Sequence, residues 1–123
     1  MAHLARADLG VVTYVRSPLT EVALPNKVFE YIAVDKPLVL PDLRAMRRTF
    51  DGAAWFYEPA NPRDLAAKIR EAADASAESD SRRRKARVVY EAARWEAQAE
   101  RLAAMYPIAK TRVAQLGGRA ACT

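Results

Sequence analysis

Between Pro37 and Pro41 stand three apolar residues, Leu38, Val39 and Leu40, and this short run constrains the fold more than any other segment. It is too short for a helix and carries no polar alternation, so both of its faces must meet apolar partners. A strand of that kind belongs inside a parallel sheet covered on both sides by helices. The flanking prolines act as breakers and keep the strand short.

The neighbouring segments fit that requirement. Residues 8–14, Asp-Leu-Gly-Val-Val-Thr-Tyr, form a β-branched apolar run, and the Ser17-Pro18 turn signal follows closely. Pro25 then suits the first position of a helix over 25–34, whose Val28, Phe29 and Ile32 share one side. Asp35 takes the left-handed position that ends this helix, and Asp42 caps another through about Thr49. Ala54-Trp-Phe-Tyr57 reads as a third strand, its aromatic triplet lying across both faces. Asn61 caps a further helix with Pro62 in its first turn, a buried face of Leu65, Ile69, Ala72 and Ala73, and an Asp64–Lys68 ion pair.

Residues 76–81 read as a break. Beyond them Val88, Ala92, Trp95, Ala99, Leu102, Tyr106, Ala109, Val113 and Leu116 recur at spacings of four and three, which predicts one buried helical face. Pro107 is expected to kink or divide that helix, and the tail from Gly117 to fray. Strand, helix, strand, helix, strand, helices is the rhythm of a parallel sheet with crossover connections. The expected fold class is therefore α/β: a partial, Rossmann-like parallel sheet over residues 1–106, with a C-terminal helical extension and tail over 107–123. Three strands amount to half of a doubly wound domain, and the elements expected before residue 8 are absent from the chain.

Charge and composition narrow the function classes. The net charge of +5 is not spread evenly, because residues 1–61 carry seven basic and seven acidic side chains and the excess falls in the second half, around the basic run 81–87. Such a run reads first as a solvated helix face and second as a polyanion contact. No aromatic is interleaved with it, and no nucleic-acid partner is expected. No apolar run approaches the roughly 18 residues of a membrane span, and the start lacks the apolar core of a secretory signal. The expected location is cytoplasmic, with membrane contact at most peripheral. His3 is the sole histidine and Cys122 the sole cysteine, so no metal-ligand cluster and no internal disulfide can be assembled, and no cofactor is expected. Gly10, Gly117 and Gly118 do not form a dinucleotide fingerprint.

In open parallel sheets, ligands sit beyond the carboxyl ends of strands, where a loop leads to a helix N-terminus. Residues 15–24 form that loop here, and it carries Arg16, Ser17, Thr20 and Glu21. Main-chain N–H groups at Leu24, Asn26 and Lys27 can grip a phosphate, the Lys27 side chain adds charge, and Glu30 can accept two hydroxyl hydrogen bonds. The same residues also fit a capped surface helix with Glu30 simply exposed.

Five collinear pieces carry a resemblance: Ala7-Asp-Leu-Gly-Val-Val-Thr-Tyr14, Leu24-Pro-Asn-Lys-Val-Phe-Glu-Tyr31, Lys36-Pro-Leu-Val, Trp55-Phe-Tyr-Glu-Pro59 and Asp64-Leu-Ala-Ala-Lys-Ile69. Together, over about residues 5–106, they resemble the C-terminal donor-binding domain of group 1 (family four) GT-B glycosyltransferases. The resemblance implies a transferase, retaining in stereochemistry, that moves a hexose from a nucleoside-diphosphate sugar. It implies ribose on Glu30, and diphosphate and sugar near Leu24, Asn26 and Lys27. The first glutamate of the family's pair falls eight positions earlier, on Val22, with Glu21 one position before that. It also implies a partner, the N-terminal acceptor domain, in cis or in trans, without which the chain is expected to be inactive. The competing expectation is a non-catalytic module that applies a basic C-terminal helix to a membrane, a nucleic acid or a protein.

Overall fold

The computed structural model describes residues 2–117, and side chains over residues 3–106. The chain divides into two compact units, Met1–Tyr90 and Glu91–Thr123. The first unit holds a short helix α1 (Ala2–Ala5), strands β1 (Gly10–Val11), β2 (Leu38–Pro41) and β3 (Trp55–Tyr57), and helices α2 (Asn26–Ala33), α3 (Arg44–Phe50) and α4 (Pro62–Asp74), with most of α5 (Ser76–Ala93). It is an α/β unit with a three-stranded, all-parallel sheet in the order β1-β2-β3. Gly10 lies opposite Leu38, Val39 opposite Trp55, and Pro41 opposite Tyr57.

Alternation along β2 divides the core between the two faces. Leu38 and Leu40 pack with Val12, Val28, Ile32, Leu43, Met46, Phe50 and Ala86 on one side. Val39 packs with Trp55, Tyr57 and Ala72 on the other, where Leu65 and Ile69 of α4 close the layer. Every residue of β2 is buried, as its unbroken apolar run requires. Trp55 and Tyr57 share the α4 face while Phe56 lies against the opposite cluster, so the triplet does straddle the sheet.

Local chemistry accounts for the element ends. Asp35 takes φ 57°, and Asp35 N–H and Lys36 N–H bond the Ile32 and Tyr31 carbonyls, the pattern that closes a helix through a left-handed residue. Asn61 caps α4 by accepting the Asp64 N–H. Gly10 is required by packing, since a Cβ there would lie 2.4 Å from ring atoms of Tyr31.

Several expectations are corrected. β1 spans two residues rather than seven. Pro25 is the N-cap of α2 and not its first helical residue. The N-cap of α3 is Leu43, and the Asp42 carboxylate turns instead to Arg47. Lys68 pairs with Glu71, because Asp64 turns back to the Glu58 N–H. Ala73 is exposed, whereas Ala72 is buried. Residues 76–81 begin α5 instead of breaking the chain, and the break falls on Ala75. The basic run on α5 is not simply solvated. Arg82 donates to the Ala54 carbonyl at 2.6 Å and lies over the Trp55 ring, and Arg83 bonds Asp35 and Asp80.

In the second unit a single helix, α6 (Trp95–Gly117), runs through Pro107 without division. The apolar stripe is interrupted at Arg94, between α5 and α6. Among the described side chains its large members are not core: Trp95 is 71% exposed, Leu102 51% and Tyr106 62%. The spacing of four and three does mark helical residues, but the face it was expected to bury is exposed at each of these large side chains. Ala109, Val113 and Leu116 lie outside the described side chains, and the tail with Cys122 outside the described residues.

Candidate functional site

The loop between β1 and α2 leaves the carboxyl end of the sheet and builds its own turn. Ser17 N–H donates to Thr20 Oγ1 at 2.8 Å, the Thr20 hydroxyl donates to the Val15 carbonyl at 2.7 Å, and Glu21 N–H closes on the Ser17 carbonyl. Ser17 and Thr20 thus act as a local clasp. Leu19 at the tip is 74% exposed, with Val15 and Val22 also turned to solvent.

Glu21 anchors the loop to α3. One carboxylate oxygen accepts from Arg16, and the other accepts the Arg44 N–H at 2.8 Å. The Glu21 carbonyl also accepts the Ala45 N–H at 3.0 Å. α3 has no side-chain bond from its own N-cap residue, so a carboxylate 23 residues upstream supplies the cap. The Arg44 N–H foremost, and Arg16 beside it, hold the Glu21 carboxyl below the ordinary carboxylate range. Arg47 does the same to Asp42 through a two-point bond at 2.9 and 2.8 Å. Arg16 completes the arrangement by donating to the Asp42 carbonyl at 2.8 Å.

The remaining predicted residues cluster on α2. Leu24 and Pro25 lead into it, with Asn26 and Lys27 in its exposed first turn and Glu30 exposed one turn further on. Pro25 makes no side-chain cap bond and the first turn holds no acid, so the positive end of this helix is not neutralised from within. Among the described residues no hydrogen bond or ion pair joins Glu21 to Asn26, Lys27 or Glu30. The structure therefore sorts the predicted set into an α2 group (Leu24, Asn26, Lys27, Glu30) and an α3 anchor (Glu21), with Val22 exposed on the loop.

Sequence reading placed Arg16 on the loop but missed the α3 arginines that join it. Arg16, Arg44, Arg47 and Arg48 line one open cavity of about 420 Å³ together with Glu21 and Asp42. Only the recurrence of Arg44, Arg47 and Arg48 at spacings of three and four hinted that they share a helix side. Among the described residues there is no group of three or more histidine, cysteine, aspartate or glutamate side chains placed to hold a metal. No helix there is long and apolar enough to cross a membrane. Comparison with known proteins returns no match, neither to a family model, nor to a curated protein, nor to a solved structure.

Proposed function

We propose that this chain is the donor-binding part of a GT-B glycosyltransferase and holds a nucleoside-diphosphate sugar beyond the carboxyl ends of its parallel strands. One observation carries the reading: α2 opens after the β1 loop with an uncapped, acid-free N-terminus and an exposed carboxylate one turn inside it. That end offers N–H groups and a positive dipole to a diphosphate, while Glu30 offers two acceptor oxygens to a pair of ribose hydroxyls. Lys27 adds a cation in the first turn. The exposed apolar residues Val15, Leu19 and Val22 fit a rim that an acceptor domain would cover. Engagement of Arg82 and Arg83 within the α/β unit favours this reading over a polyanion-binding module.

The test is calorimetric titration of the whole chain with nucleoside diphosphates and their sugar conjugates. Glu30→Ala is expected to weaken binding by about 1–3 kcal/mol, the range for stranding hydrogen-bonded polar partners. Unchanged affinity in that variant refutes the ribose assignment. Binding to anionic vesicles or nucleic acid that falls steeply with salt, without binding of nucleotide sugar, would favour the module instead.

A further inference from the structure

We propose that the cavity lined by Arg16, Arg44, Arg47 and Arg48 is a binding site for a dianionic phosphate group, distinct from the α2 N-terminus. Four guanidiniums and two carboxylates line this cavity of about 420 Å³. Both carboxylates are already committed. Glu21 has one oxygen on Arg16 and the other on the Arg44 N–H, and Asp42 has both oxygens on Arg47.

These pairs leave a surplus of two positive charges and also position the donors. Arg16 is held at two points, by Glu21 and by the Asp42 carbonyl. Arg47 is fixed by Asp42 on one side and by the Phe56 ring, 4.1 Å from its guanidinium carbon, on the other. Among the described residues, the Arg44 and Arg48 side chains make no hydrogen bond or ion pair, so their guanidiniums are available to a ligand. Planar guanidiniums match phosphoryl oxygens in pairs, and the half of the cluster already held, Arg16 and Arg47, loses little side-chain freedom on binding. A phosphate monoester carries close to two negative charges above its second ionisation near pH 6, which equals the surplus. The lowered pKa values of Glu21 and Asp42 keep both acids ionised across that transition, so the protein's charge in the cavity stays constant while the ligand's changes.

The experiment is a titration of the full chain at constant ionic strength, followed through arginine side-chain NMR signals. The probes are inorganic phosphate, methyl phosphate, and phosphatidylcholine vesicles with and without phosphatidate. Saturable shifts at Arg44 and Arg48, with a Kd on the order of 1 mM and about tenfold weaker binding at pH 5 than at pH 7.5, are expected. Arg44→Gln combined with Arg48→Gln should weaken binding at least tenfold without lowering the melting temperature, because the Arg44 N–H that caps on Glu21 is retained. Arg63→Gln combined with Arg70→Gln removes the same charge from α4 and should leave the affinity unaltered. Binding of phosphatidate vesicles alone would identify the phosphate as a lipid headgroup, and binding of the soluble probes would identify it as free. Absence of binding to every probe overturns the proposal, as does an equal loss in both double variants.

Discussion

Tyr57→Phe probes a substitution of one hydrogen-bond donor for another inside the sheet. In the parallel register, Gly10 N–H and Val12 N–H donate to the carbonyls of Pro37 and Val39, which sets the nitrogen of residue 41 opposite the Val12 carbonyl. Residue 41 is proline and has no N–H to give. The Tyr57 hydroxyl, reaching from the strand on the far side of β2, donates to that carbonyl at 2.9 Å instead. Val12 and Tyr57 are each 3% exposed, so water cannot take over the bond. Removing the hydroxyl strands a buried acceptor at a cost of about 1–2 kcal/mol, after allowing for the easier burial of phenylalanine. In a unit of this size that lowers Tm by about 5–15 °C. Urea and thermal denaturation followed by circular dichroism provide the measurement. Pro41→Ala supplies the missing N–H, so Tyr57→Phe should cost about 1 kcal/mol less in that background. An equal cost in both backgrounds, or a change below about 0.5 kcal/mol in the natural one, refutes the account. Burial also raises the Tyr57 pKa, against a backbone contribution from Tyr14 that lowers it. Its stabilisation is therefore intact below the ordinary tyrosine value of 10.0 and is lost as pH rises through the higher folded value.

Gly10→Ala drives a Cβ against the near end of the Tyr31 side chain and should destabilise by about 1–3 kcal/mol in urea titrations, with partial recovery in combination with Tyr31→Ala. Glu21 and Asp42 have folded pKa values below their ordinary ones, so the stability they contribute is present above the usual carboxylate range and lost as pH falls through the folded values. Amide protection at Arg44 and Ala45, both bonded to Glu21 and measured against the intrinsic exchange rate at each pH, should accordingly fall in acid, as Glu21 protonates below the ordinary carboxylate range, before the sheet amides respond. On the proposed reading the chain supplies only the donor side of a cleft, and glycosyl transfer needs a closed, water-poor one, so the chain alone should not transfer sugar. Turnover by the chain equal to that of a reconstituted pair with an acceptor domain would contradict this.

The short-range features were legible in the residues themselves. Leu38, Val39 and Leu40 between prolines could only be a doubly buried strand, Asn61-Pro62 could only open a helix, and Asp35 could accept the left-handed turn, because each depends on backbone sterics and near neighbours. α2 and its exposed Glu30 follow from the same local rules. What tertiary structure decided is where long side chains found partners. Spacing alone favours Asp42 as the cap of α3 and Lys68 as the partner of Asp64. The folded chain instead brings Glu21 to α3 from 23 residues away and turns Asp64 back to the Glu58 N–H. The arginine cavity, the Tyr57 hydroxyl standing in for a proline N–H, and the exposure of Trp95 and Tyr106 belong to the same class. A periodic pattern states which face of a helix is apolar, and only the packed chain states whether a second layer covers it.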